Sequence, residues 1–379
     1  MTTENPGRSA EYDAVVVGAG PAGCTHALAL AARGALVLLA GPGPCHPPGT
    51  LELVDGRAAA DLDALGLLSR LQAVSRSRAG TLSRWGTADF ASRSSLLDPA
   101  GPGWIVDRNS FDVLLRDAAR DAGIQITDER LARPHRNTGG WLARLSRSGR
   151  TVCGQRFVVA TGCHGRGWIP VRQPTERSLS TVAITGWFRD GLSGLGDRLL
   201  VDADVDGWWY ALGSPAGVRV TYCLPASRLP PPGPARAEVA WRAAAHQARW
   251  VPSLDVTASG TRRSAPVRLT TCVVPAGTTG LVQRPRSAEQ PGWPERSGLV
   301  AVGDAALSVS PLSGHGVALA LHGAVLAAED PLGYREWLLR TALDHAAEET
   351  RLHVALGRPD KAAPSAAAYQ NTHVAPLVR

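Results

Sequence analysis

The sequence predicts an α/β chain: a Rossmann-type domain into which a largely antiparallel β domain is inserted, followed by a C-terminal helix. Three observations predict it. Residues 12–41, YDAVVVGAGPAGCTHALALAARGALVLLAG, read as strand, tight glycine turn, helix, strand. From Thr181 to about Pro275 the pattern changes to short alternating strands, and at Gly298 a buried apolar run returns. A long amphipathic stretch, about Leu332 to Leu356, then closes the regular part of the chain. The domain expectation is residues 10–170 with 295–330, an insert at 171–294, and 331–379 as helix and tail, with 70–100 open to assignment to the substrate side.

The 379 residues are too many for one minimal core, and the 44% apolar content is that of an ordinary globular protein. The polar first ten residues and the lack of a run near 18 apolar residues lead us to expect a cytoplasmic protein without membrane attachment. Six scattered cysteines lack the spacing of a zinc site or a disulfide framework, so no metal is expected. The net charge of +7 comes from dispersed residues, of which one among forty is lysine, Lys361. A solvated arginine-rich surface accounts for it better than nucleic-acid binding.

In order, Ala14–Val17 is a β-branched strand, and Gly18-Ala-Gly20-Pro-Ala22-Gly23 opens a helix reaching Arg33-Gly34. Gly18 permits the turn, Gly20 lets backbone approach a pyrophosphate, and Gly23 permits close helix–strand packing, so the motif predicts a dinucleotide on the helix N-terminus. A proline-rich loop, 42–50, precedes an expected helix from Leu51 to Leu68, and 70–93 reads as loops with an irregular strand. Trp104–Val106 is a strand, followed by a helix capped near Asn109 or Ser110 that buries Phe111, Leu114, Leu115 and Ala118. Strands follow at Trp141–Leu145 and Phe157–Ala160. The insert holds strands near 182–188, 199–202, 208–212, 218–224 and 267–274, and a helix from about Ala235 to Arg249. A breaker-rich stretch, Arg284–Arg296, leads to the strand Gly298–Val302.

The next stretch, GLVAVGDAALSVSPLSGHGVALALHGA, carries Gly303-Asp304-Ala305, Pro311, and Gly314-x-Gly316 at a helix start. With the first glycine motif, it resembles the FAD-dependent monooxygenase superfamily, which includes aromatic hydroxylases of the p-hydroxybenzoate hydroxylase fold and flavin-dependent halogenases. The composite is similar to the halogenase-like branch related to flavoproteins that oxygenate tryptophan in peptides. The resemblance implies FAD held by Gly18, Gly20, Ala22, Gly23, Arg108, Thr161, Gly162, Gly303, Asp304, Pro311, Gly314 and Gly316, with Asp304 on a ribityl hydroxyl. It also implies hydroxylation of an aromatic small molecule, or of a carrier- or peptide-bound aromatic group, through a flavin C4a-hydroperoxide. His315 is the candidate base or flavin charge-setting group, and Trp208 and Tyr210, on one strand face, are candidates for an aromatic pocket. His46 and His164 read as structural or exposed. NAD(P)H is the expected electron source, used directly or through a partner flavin reductase, because no second G-x-G-x-x-G is present.

Two departures matter. Gly207-Trp-Trp-Tyr-Ala-Leu-Gly213 differs from the G-W-x-W-x-I-P of tryptophan halogenases, and Lys361 stands far from where those enzymes need a lysine. The acidic residue that usually ends the second strand falls at Gly41, so adenosine is expected to be held by backbone or other groups, which favours a loosely bound FAD. An oxidase or reductase on the same fold, a halogenase, and a maturation factor that recognises a partner protein remain the alternatives.

Overall fold

A computed structural model describes residues 11–47, 49–137, 140–163, 181–188, 194–231, 236–248, 250, 270–274, 277–278, 282–283 and 298–356. The linker at Arg284–Arg296, His164, Lys361 and the tail lie outside them.

Six strands of the main sheet run in the order Val282–Gln283, Gly298–Ala301, Thr151–Val159, Tyr12–Val17, Val37–Ala40 and Gln125–Thr127, all but the first parallel, and Gly140–Arg144, with His135–Asn137 beyond it, pairs antiparallel with Thr151–Val159. The parallel pairing explains the unbroken apolar runs. Val15, Val16, Leu39, Phe157 and Val158 are fully buried because helices cover the sheet. Helix α1 (Pro21–Ala31) follows the first strand. Gly23 is obligatory there, since a Cβ would stand 1.8 Å from the Gly18 carbonyl oxygen.

The expected helix over 51–68 does not form. Leu51–Val54 is a strand, antiparallel to Trp104–Asp107, and the helical part breaks into a short turn, α2 (Ala59–Ala64) and α3 (Leu68–Val74). Period decides: Leu51 and Leu53 share one strand face and pack with Ile105 and Leu212 in a cluster under the second sheet. Helix α4 (Arg108–Asp121) starts earlier than expected, capped by Asp107, whose carboxylate accepts from the Ser110 N–H, and not by Asn109 or Ser110. A strand at Gln125–Thr127 was not anticipated.

The second sheet has seven strands among the described residues: Thr270–Val274, Thr181–Phe188, Gly217–Pro225, Trp208–Ser214, Arg198–Ala203, Gly80–Arg84 and Ala91–Ser94. Its pairing is antiparallel except between Arg198–Ala203 and Gly80–Arg84. Residues 80–94, read as irregular, thus form its edge. Its outer face is covered by α5 (Arg236–Gln247), where Trp209 packs on Tyr222 and Trp241. The inner face, carrying Trp187, Trp208 and Tyr210, turns to the first domain.

The chain then returns through the short turn Gly303–Ala305 to α6 (Gly316–Glu329) and α7 (Pro331–Ala355). Helix α6 lies on α1, tied by the buried His26 Nδ1 at 2.7 Å from the Ala324 carbonyl oxygen. Helix α7 spans both sheets: the Tyr334 hydroxyl donates to Ala301 O at 2.8 Å, and Trp85 Nε1 donates to Leu352 O at 2.9 Å.

Candidate functional site

Two glycine-rich helix starts lie side by side at the carboxyl ends of the parallel strands, with Ala22 of one and Ala320 of the other both against Gly303. At the first, Gly18 has φ of 109°, and Gly20 is the N-cap of α1 with no side chain capping it. A Cβ on Gly20 would meet nothing within 4 Å, so the space above the N-terminal amides is open. No acidic residue occupies the first turn. The second start is α6, whose N-cap His315 contributes no side-chain cap, and Gly316 likewise faces open space. The two motifs touch where Gly303 meets Ala22: a Cβ at Gly303 would lie 2.6 Å from that of Ala22. Thr161, at the end of the strand between them, has a buried hydroxyl without a hydrogen-bond partner among the described residues, and Gly162 follows at φ of 67°. Uncapped amides, missing Cβ atoms and an orphaned hydroxyl along one line fit an extended dinucleotide with its diphosphate on α1. Asp304 sits half-buried in the turn between the two starts.

Arg108 belongs to a network that the sequence only half revealed. Its Nε donates to Asp112 at 2.9 Å and its guanidinium to Glu52 at 3.1 Å, while His46 holds the other Asp112 oxygen at 2.9 Å. Burial opposes the Arg108 charge, but the Glu52 and Asp112 carboxylates beside it outweigh that effect and raise its pKa above the ordinary value. Glu52 was missed because it was read as part of a helix. His46, read as structural or exposed, is half-exposed and paired.

Pro311–Ser313 forms one tight turn ended by Gly314 at φ of 65°. His315 follows, and both its ring nitrogens face charged neighbours. Nδ1 lies 3.0 Å from Arg57 and Nε2 lies 3.8 Å from Asp55, whose carboxylate also accepts from the Arg57 backbone. A guanidinium only donates, so Nδ1 accepts and the ring is neutral with its proton on Nε2. Burial lowers the His315 pKa, Arg57 and His345 lower it further, and Asp55 and Glu348 oppose them. Of the two roles raised for His315, this arrangement disfavours the general base and leaves a neutral N–H donor.

Trp208 and Tyr210 stand together on the inner sheet face, ring centroids 5.6 Å apart. They pack with Ala183, Cys223 and Leu312, which brings them against the Pro311–Ser313 turn. A cavity of about 670 Å³ lies at the other end of the same face, lined by Gly49, Leu51, Ile105, Asp107, Trp187 and Pro215, among others. Gly49, at φ of 75°, must be glycine, because a Cβ would lie 2.4 Å from the Trp187 ring. Trp187 was not anticipated as a pocket residue, although its place on an alternating strand beside Thr185 was legible.

Among the described residues no cluster of metal-ligating side chains occurs, and no helix is long and apolar enough to cross a membrane. No protein-family model matches the chain, and no curated protein matches it. Solved structures do. The flavin-dependent halogenase CmlS aligns at 20% identity and a TM-score of 0.71, covering 98% of this chain and 68% of its own. The myxobacterial chondrochloren halogenase CndH, an FAD-dependent enzyme, aligns at 18% and 0.67, covering 96% of each. QhpG, a peptidyl tryptophan dihydroxylase essential for tryptophylquinone cofactor biogenesis, aligns at 22% and 0.64, covering 96% of this chain and 77% of its own. These likenesses, together with the paired glycine motifs, establish that the chain has the mixed α/β fold of FAD-dependent halogenases and monooxygenase-type flavoproteins.

Proposed function

We propose that the chain is an FAD-dependent oxidoreductase that hydroxylates an aromatic group. The observation that carries this reading is the pairing of two helix starts without side-chain caps, α1 and α6, packed side by side, with the turn before α6 set against the sheet face bearing Trp208 and Tyr210. The α1 amides and Gly20 would hold the diphosphate, and Asp304 and Arg108 would meet the ribityl chain. The α6 amides after His315 place partial positive charge beside the turn at Pro311. Bound FAD supplies the activation of dioxygen, and the protein supplies position and exclusion of water.

The aromatic group would enter at the Trp187 cavity, whose apolar walls orient a ring by packing. Its volume of about 670 Å³ is that of a site for a ligand larger than one ring, which suits an aromatic group borne on a peptide or carrier. NAD(P)H would supply electrons, directly or through a flavin reductase. His315 would present an N–H donor at the edge of the site, held by Arg57.

Purified protein titrated with FAD is expected to quench flavin fluorescence and to take on a bound-flavin spectrum. Absence of binding would remove the proposal. Asp304→Ala is expected to weaken FAD retention by about tenfold or more, as loss of a hydrogen bond to a buried site. With reduced flavin, oxygen from labelled O₂ is expected in the product. Unlabelled product would assign an oxidase or reductase instead, and a halogenated product would assign halogenation.

A further inference from the structure

The second strand, Val37–Ala40, ends at Gly41 with no carboxylate for the adenosine ribose. The structure shows why none is carried there, and where one stands instead. Gly41 runs against the glycine turn, so that a Cβ at that position would lie 2.9 Å from the Ala19 backbone nitrogen. The next strand, Gln125–Thr127, is parallel to it in the register Ala40↔Thr127, and the Gly41 N–H donates to Thr127 O at 2.9 Å. The residue after Thr127 is Asp128, level with Gly41 on the neighbouring strand.

Asp128 is fixed by Arg116, which reaches up from α4 and is almost wholly buried. One guanidinium nitrogen donates to Gly41 O at 3.1 Å and to Pro42 O at 3.3 Å, and the other donates to Asp128 Oδ1 at 2.5 Å. Arg116 thus ties the end of the second strand to the carboxylate of the third. The Asp128 side chain is 66% exposed, and no partner is seen for its Oδ2 among the described residues. Asp128 stands at the carboxyl edge of the parallel sheet, level with Gly41, which packs on the glycine turn, and it is at this edge that the adenosine end of an extended dinucleotide runs.

We propose that Asp128 is the ribose-binding carboxylate of this chain, moved one strand outward and held in place by Arg116. This rests on the FAD reading above. Ribose hydroxyls donate to a carboxylate through charge-assisted hydrogen bonds, and a positioned oxygen beside a buried guanidinium meets that need without reorganising. The displaced position also accounts for a sequence that carries the phosphate motif intact and yet lacks the acid at its expected place.

The test compares ADP with 2′,3′-dideoxy-ADP, and FAD with each, by calorimetry on the purified chain. Native protein is expected to bind ADP about tenfold or more tightly than the dideoxy compound, as for loss of a charge-assisted hydrogen bond. Asp128→Ala is expected to abolish that discrimination and weaken FAD by a similar factor. Asp128→Asn, which keeps an acceptor for Arg116, is expected to fold normally and lose part of the discrimination. Glu129→Ala, next in sequence and bonded to the Arg147 and Ser148 amides, is expected to leave it unchanged. Undiminished discrimination in both Asp128 variants, with FAD still bound, overturns this assignment alone. No binding of FAD or ADP by the native protein overturns it together with the flavin reading.

Discussion

His26 carries the clearest pH dependence of any single residue. It is wholly buried between α1 and α6, its Nδ1 bonded to Ala324 O and its Nε2 without a partner among the described residues, and burial pushes its pKa down to about 4. In the unfolded chain it titrates at the ordinary value of about 6.5. The folded value is the lower one, so the unfolded state takes up the proton first as pH falls. Stability is therefore complete above about pH 6.5 and declines toward pH 4, by about 2 kcal/mol between about pH 7 and about pH 5. Urea unfolding at the two pH values measures this, and His26→Gln is expected to flatten the difference. His315 responds in the opposite sense to a change of neighbour. Arg57→Met removes a cation that lowers its pKa, so its titration, followed by NMR of labelled histidine, is expected to move upward, with a proton appearing on Nδ1. An unmoved titration would mean that Arg57 does not set the tautomer. Neither partner of His315 was legible in the sequence. Asp55 and Arg57 lie some 260 positions away in the chain, and only the fold of the 51–58 segment as a strand and turn brings them to α6.

At the scale of elements, the glycine turn divides into positions the fold requires and positions the ligand requires. Gly23 is required by the fold, as its missing Cβ is filled by the Gly18 carbonyl, so Gly23→Ala is expected to prevent native folding or lower the melting temperature steeply. Gly20 has extended backbone angles and open space around its Cβ direction. Gly20→Val is therefore expected to leave the melting temperature within a few degrees of native while weakening FAD binding by about a hundredfold, because the side chain enters the diphosphate space. A Gly20→Val protein that binds FAD normally would place the diphosphate elsewhere. The motif spacing made this turn legible, and the parallel strands around it follow from apolar runs bounded by breakers. The 51–68 segment was misread because its leucines at 51, 53, 62, 65, 67 and 68 satisfy a helical count in aggregate. The first two instead belong to a strand whose pairing partner, Trp104–Asp107, is fifty residues on.

Over the whole molecule, α7 is the part that joins the two sheets. Tyr334 anchors it to the main sheet at Ala301 O, and Trp85 of the second sheet reaches Leu352 O near its other end. Tyr334→Phe is expected to cost about 1–2 kcal/mol, measured by chemical unfolding, through the buried carbonyl left without a donor, with FAD affinity unchanged. What the sequence determined by itself is the part of the protein written in local pattern: the two glycine motifs with their helix starts, the parallel strands between them, the switch to alternating strands, and the closing helix. These depend on backbone conformation and on period, both set by residues within a few positions of one another. The tertiary structure alone decided which aromatic residues face open space. Trp208 and Tyr210 share a face with Trp187, yet the first two pack with Leu312, while a cavity lies at the third. It also decided where the ribose carboxylate can come from, since parallel register sets Asp128 beside Gly41 across 87 positions of chain. Such placements are set by contacts between distant segments, whose geometry no local spacing encodes.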